Sequence, residues 1–225
     1  MAKLFIRDGL MIIGFAGKAA SGKTTAAKYL MELQNDIVIL PMAVVLRQEV
    51  ESFIRQVGAE DKIPLVYGDQ DDKVRVFYVD ERIAQQLCPV WAGFVTMNQD
   101  IQDRPGQTAV TVRRVLQWWG TEYRRAQDPD YWTKAWEKKL QEYDLTNTHI
   151  LVDDVRFVNE LEIIKKNGGV FIRIIRPGFD GANDHSSENS LDDYDAWDLV
   201  IGNDGSLEAF KQQVKVQILP LLKVD

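Results

Sequence analysis

The run Met11-Ile12-Ile13-Gly14-Phe15-Ala16 passes without interruption into Gly17-Lys18-Ala19-Ala20-Ser21-Gly22-Lys23-Thr24, an apolar strand emptying into the pattern GxxxxGKT. No other segment limits the fold so strongly. A buried strand ending in this loop and continuing as a helix points backbone N–H groups at an anion. Glycines stand where the chain must turn, a lysine reaches the outer phosphates and a hydroxyl meets a divalent cation. Gly17, Gly22, Lys23 and Thr24 occupy those positions, and Thr24 to Gln34 reads as the helix that follows. Lys18, Ala20, Ser21 and Thr25 are expected to share the contact with bound phosphates.

Around this unit the chain alternates between strand-like and helix-like segments. Strands are predicted at Leu10 to Ala16, Ile37 to Leu40, His149 to Asp153, Val170 to Ile175 and Asp198 to Ile201. Helices are predicted at Val44 to Val57, Thr111 to Ala126, Tyr131 to Tyr143, Val158 to Asn167 and Ser206 to Leu222. In the last, Leu207, Phe210, Val214 and Ile218 with Leu219 trace one apolar stripe. The alternation specifies an α/β fold with a parallel sheet covered on both faces. Gly58 to Gln107 has no clear order and is treated as an insertion. Within it Lys73 to Val79 alternates like an exposed strand or hairpin arm, Asp80 to Leu87 reads as helix, and Asp69 to Asp72 reads as a solvated loop rather than a metal site.

Composition narrows the function classes. At 225 residues, with 45% hydrophobic and 27% charged residues, the chain suits one globular α/β domain carrying an insertion. Its longest apolar stretches fall far below the roughly 20 residues of a membrane helix. No secretion signal is evident in Met1 to Phe5, so a cytoplasmic location is expected. The single Cys88 reads as a small buried hydrophobe. A net charge of −7 argues against a protein that wraps nucleic acid, while leaving room for local basic pockets.

The chemistry gathers at a few places. Ile150-Leu151-Val152-Asp153-Asp154 is an apolar strand tipped by two acids, and ligands collect at the carboxyl ends of parallel strands. Either carboxylate could hold a magnesium-bound water or accept from Thr24, and strand alternation turns only one of them that way. Arginines recur as Arg113 and Arg114, Arg124 and Arg125, Arg156, Arg173 and Arg176, and their planar forks match phosphate oxygens. Arg113 and Arg124, eleven residues apart, share a face if their helix is continuous. Gly120 could break it. Trp118 or Trp119 could stack a base, with the other in the core. His185 reads as a loop histidine.

Four segments together resemble the phage-type deoxynucleoside monophosphate kinases of the wider P-loop nucleotide kinase group. They are Gly14 to Thr25, Val115-Leu116-Gln117-Trp118-Trp119-Gly120-Thr121-Glu122-Tyr123-Arg124, Asp153-Asp154-Val155-Arg156-Phe157-Val158-Asn159-Glu160, and His185-Ser186-Ser187-Glu188 followed by Asp198 to Ser206. The resemblance implies a P-loop kinase fold with a five-stranded parallel sheet of order 2-3-1-4-5 and helices on both faces. An NMP-binding insertion over 42–145 and a lid over 176–196 are implied within a single domain, 1–225. It implies ATP as donor, Mg²⁺ as cofactor, and a deoxynucleoside 5'-monophosphate as acceptor, giving dNDP and ADP. Gln117, Thr121, Glu122 and Arg124 then belong to the acceptor site, joined by Arg47, Arg113, Trp118 and Gly120. Lys23, Arg124, Arg156 and Arg176 act on the transferring phosphate, Asn203, Asp204 and Gly205 border the adenine, and Thr24, Asp153 and Asp154 serve the metal. A homodimer, small-molecule nucleotide partners and a host cytoplasm are further implications. Related P-loop kinases that act on hydroxymethylpyrimidine in DNA, dephospho-coenzyme A or phosphomevalonate stay open, as does a nucleotide-binding switch.

Overall fold

The structure, a computed structural model, describes residues 11–100, 104–179 and 189–222, which form two compact units. The first comprises the chain up to Met42 together with Thr133 onward. Its sheet contains β1 (Ile12–Ala16), β2 (Ile37–Ile39), β5 (His149–Val155), β6 (Val170–Ile175) and β7 (Leu199–Gly202). All its pairings are parallel, in the order β2-β5-β1-β6-β7. Counted within this sheet alone, the strands run 2-3-1-4-5. β1 at the centre is buried along its whole length. One face is covered by α1 (Lys23–Leu33) and α9 (Leu207–Gln217), whose Ala26, Ala27, Leu30, Phe210 and Val214 meet Phe15, Leu151, Ile172 and Ile201. α8 (Val158–Lys166) packs against β1 and β6. Apolar area removed from water on both faces, at about 25 cal/mol per Å², is what holds such a sheet.

β5 carries one irregularity with consequences for the site. Gly14 pairs with Val152 and Ala16 with Val155, so β5 spends one more residue than β1 over this stretch. The bulge falls on Asp153 and Asp154 and re-aims them, as bulges beside ligand sites commonly do.

The second unit, Ala43–Trp132, has its own aromatic core. It contains α2 (Val44–Gln56), α3 (Pro64–Tyr67), β3 (Val76–Asp80), α4 (Glu81–Leu87), α5 (Trp91–Met97), β4 (Gln107–Thr111) and α6 (Val112–Trp118). β3 and β4 form an antiparallel pair, so Val76 to Val79 of the alternating segment is strand, whereas Asp72–Val74 before it is a short helical turn and α4 and α5 intervene before β4. α7 (Tyr131–Leu140) begins in this unit and ends in the other. There Trp136 is fully buried and donates its indole N–H to Leu40 O at 3.1 Å. The unit therefore closes at Trp132 rather than at the expected 145.

The helix of Val112 onward corrects two expectations. Gly120 does not break it; the helix widens into a π-helix over Trp119–Arg125. Wider turns undo the three-turn spacing that put Arg113 and Arg124 on one face. Both tryptophans are core residues, each 5% exposed. Trp118 meets Trp91 and Phe94 edge-on and stacks on Tyr123, while Trp119 packs against Phe53. Trp118 is therefore not available as a base platform. Cys88 is buried in the same core, and burial raises its thiol pKa. Among the described residues no helix is long and apolar enough to cross a membrane.

Candidate active site

The loop of Gly17 to Thr24 is shaped by two glycines that no L-residue could replace without strain. Gly17 has φ +141°, and a Cβ there would stand 2.3 Å from Ile174 O. Gly22, the residue before α1, has φ +113°, and its Cβ would stand 2.8 Å from Asn203 Nδ2. Between them Ala20 also lies in the left-handed region, at φ 60°, a conformation disfavoured by roughly 1–2 kcal/mol for a residue with a Cβ. The reversals turn the chain into the N-terminus of α1, where unsatisfied N–H groups and the helix dipole favour an anion. Lys23 is nearly buried and donates from Nζ to Gly17 O at 2.6 Å and Lys18 O at 2.8 Å, so its ammonium lies within the loop. Ser21 is buried, and its hydroxyl has no hydrogen-bond partner among the described residues.

The two acids at the tip of β5 face different neighbours. Asp153 is buried and accepts the Thr24 hydroxyl on Oδ2 at 2.6 Å. Asp154 Oδ1 accepts the Met42 backbone N–H at 2.6 Å, which ties β5 to the chain leaving β2. Asp154 is thereby held to the backbone, while Asp153 is the acid that meets Thr24. A hydroxyl paired with one carboxylate suits Mg²⁺, which takes few protein ligands and completes its shell with phosphate oxygens and water. Among the described residues no group of three or more His, Cys, Asp or Glu could hold a metal, and the Asp69 to Asp72 segment forms a loop in which Asp69 accepts from the N–H groups of Asp71 and Asp72.

Other groups line the loop's rim. Asn203 donates to Ser21 O at 2.8 Å, and its own N–H bonds Ile175 O. Asp204 and Gly205 are exposed beside it. Arg176 donates to Ala20 O at 3.2 Å and lies over the Phe179 ring. Thr25 is exposed at the start of α1. Lys18 bonds Asn189 Oδ1 at 2.9 Å and pairs with Asp192 at 2.6 Å. Just past β5, the buried Glu160 accepts the backbone N–H groups of Arg156 and Phe157, fixing the chain at the start of α8. His185 and Glu188 fall within 180–188, outside the described residues, as does the middle of the lid expected over 176–196.

The residues expected at the acceptor belong to the second unit, where one carboxylate that no sequence signal marked holds Arg124 among aromatic side chains. Glu49 on α2 accepts from Trp119 Nε1 at 2.8 Å, Arg124 Nε at 2.9 Å and the Tyr131 hydroxyl at 2.5 Å. Arg124 Nη2 adds an ion pair at 2.8 Å, and its guanidinium lies over the rings of Tyr123 and Tyr131. Burial works against the Arg124 charge, but the bond and charge of Glu49 outweigh it and hold the pKa above its ordinary value. Burial first, then Glu49, raises the Tyr131 hydroxyl. Gln117, Thr121 and Glu122 are half-buried on the same helix, as is Arg47 on α2. Gly120 accepts the Trp132 indole N–H on its carbonyl at 2.8 Å. Arg113 bonds the Gln70 side chain, away from the Glu49 cluster, and Arg114 grips Asp100 through two bonds of 2.7 and 2.6 Å. Arg113 is thus anchored to a loop rather than grouped with Arg124.

Residues 71–214, more than half of the chain, match the family described as Deoxynucleotide monophosphate kinase. The chain belongs to this family. A protein of Acanthamoeba polyphaga mimivirus that carries the same name provisionally is 26% identical over 215 residues, covering 91% of this chain and 94% of that protein. Deoxynucleotide monophosphate kinases of Escherichia phage RB69 and Enterobacteria phage T4 are 31% and 33% identical over 107 residues. Those two matches span 47% of this chain and 43% and 44% of the phage proteins. The family match takes in the Glu122-Arg124 helix, the β5 acids and the Asn203 rim, but begins beyond the loop at Gly17 to Thr24.

Proposed function

We propose that the chain transfers the terminal phosphoryl group of ATP to a deoxynucleoside 5'-monophosphate, yielding ADP and the dNDP. The observation that carries this reading is the Thr24 hydroxyl bonded to the buried Asp153 beside a glycine-shaped loop, in a chain of this family. Thr24 and Asp153 are the groups that would hold Mg²⁺. When bound, it neutralises charge across the β and γ oxygens. The loop's N–H groups and Lys23 then grip the donor's phosphates, with Lys23 exchanging carbonyl for phosphate oxygens. The acceptor phosphate is anionic at physiological pH and attacks in line without a general base. Catalysis is positioning and electrostatics. Arg124, whose Nε and Nη2 edge is held by Glu49, offers its remaining edge to the acceptor phosphate, and Gln117, Thr121 and Glu122 supply polar groups for the base and sugar. Arg156 serves the transferring group, while Arg176 and Asn203 stand at the rim where the donor's nucleoside leaves the loop.

The test is ADP release with ATP, Mg²⁺ and each dNMP and NMP in turn, coupled to direct detection of the dNDP. Transfer to at least one deoxynucleotide is expected. ATP binding without transfer to any monophosphate would refute the reading and leave a nucleotide-dependent switch. A homodimer, implied by resemblance alone, is a separate proposal that sedimentation equilibrium tests.

A further inference from the structure

An open cleft lies beside the loop, lined by Gly17, Lys18, Val155, Arg156, Arg173, Leu191, Asp192 and Trp197. It lies at the carboxyl ends of β1, β5 and β6, where parallel sheets collect their ligands. Three of its side chains are cationic. Lys18 is already paired with Asp192 and donates to Asn189 Oδ1. Arg173 is different. It sits on β6, in the sheet interior between β1 and β7, half-buried, with its guanidinium over the Trp197 ring at 5.5 Å. Among the described residues it has no carboxylate or carbonyl partner, and the stacked ring is its sole side-chain contact of that kind. Trp197 is itself fixed, donating its indole N–H to Tyr194 O at 2.8 Å.

A half-buried guanidinium that lies over an aromatic ring and has no carboxylate bonded to it among the described residues keeps in-plane N–H donors for an anion. Stacking consumes the face and leaves the fork of donors in the plane. The neighbours on the cleft wall are Gly17 and Lys18, the first residues of the phosphate loop. We propose that Arg173 binds oxygens of the terminal phosphate of the donor triphosphate and is a further catalytic residue of the transfer. The inference rests on the kinase reading of the loop and assigns the cleft to the phosphoryl group that leaves ATP. That group carries the most charge in the donor, and its charge is what must be held while it moves. ADP lacks it, so Arg173 distinguishes the two nucleotides.

The test compares Arg173→Met and Arg173→Lys with the parent protein. Calorimetry measures binding of ADP and of a non-hydrolysable ATP analogue with Mg²⁺, and steady-state assays measure kcat. A charge-assisted fork is expected to account for roughly 10- to 100-fold in affinity. Arg173→Met should lose that factor for the triphosphate analogue, keep ADP binding within about twofold, and lower kcat. Arg173→Lys, which retains charge and size but not the fork, should fall between and serves as the folding control, with thermal melts on both. Equal loss for ADP and the analogue, or no loss for either in folded protein, overturns the inference. Loss of preference for the triphosphate in a protein that phosphorylates no monophosphate would sink the kinase reading and leave the Arg173 assignment standing.

Discussion

Replacing Glu49 with glutamine removes one charge from a cluster that depends on it and changes almost no volume. The carboxylate receives Trp119 and Arg124 on Oε2 and Tyr131 on Oε1, at 2.8, 2.9 and 2.5 Å. Hydrogen bonds to a charged group contribute about 1.5–3 kcal/mol, against about 0.5–1.5 kcal/mol for neutral pairs. Loss of charge assistance at three donors therefore amounts to about 3 kcal/mol. The side chains of Glu49 and Arg124 keep 20% and 26% of their exposure, so solvent screens part of it. The expected destabilisation of the second unit is about 2 kcal/mol. Urea unfolding followed by tryptophan fluorescence reads this directly, since Trp91, Trp118 and Trp119 lie in that core. A cycle with Tyr131→Phe should show a coupling near 1 kcal/mol. A Glu49→Gln protein within 0.5 kcal/mol of the parent would refute the account of Glu49 as an energetic hub. So would an absence of coupling to Tyr131. On activity, the same variant should raise KM for the monophosphate more than KM for ATP, because its effect passes through Arg124.

Lys23→Ala should lower turnover by orders of magnitude while the thermal melt stays near that of the parent; near-normal turnover in folded protein would exclude its role on the phosphates. Asp153→Asn retains a hydrogen-bond acceptor for Thr24 but removes the charge, so the Mg²⁺ concentration for half-maximal rate should rise at least tenfold, and an unchanged requirement would place the metal elsewhere. Gly17→Ala should abolish nucleotide binding in calorimetry, because a Cβ at φ +141° would stand 2.3 Å from Ile174 O. Burial and then the Glu51 bond push the Tyr67 hydroxyl up to about 12. Its neutral form is thus favoured in the folded state, and that contribution to stability is complete below pH 10 and lost as pH rises toward about 12. Ultraviolet titration should show a late tyrosinate that Tyr67→Phe removes.

The parts that were legible in the sequence are those whose cause is local. β1, the loop and α1 are consecutive, and glycine, lysine and threonine at fixed offsets state the geometry without help from distant residues. The alternation of strands and helices reports burial on two faces, and so the sheet. Short elements such as α3 and α5, four and seven residues long, lack the turns over which a helical period shows itself. β4, at Gln107–Thr111, has strand character only through its pairing with β3. Trp118 and Trp119 are both in the core because the helix widens there, which a rule of 100° per residue does not anticipate.

The sequence by itself determined a glycine-lysine-threonine loop at Gly17 to Thr24 between a strand and a helix of a parallel α/β sheet, because every group involved is covalently close to the next. Only the tertiary structure decided which acid meets Thr24, through a bulge that exists only when β5 lies against β1. The same is true of the gathering of Trp119, Arg124 and Tyr131 by Glu49, across 70 to 82 residues. It is also true of the seating of Arg173 over Trp197 in a cleft whose walls come from β5, β6, the loop after β1 and the 191–197 segment. A carboxylate or guanidinium acquires its role from the charges and donors around it. Those neighbours are set by packing, which leaves no periodic trace along the chain.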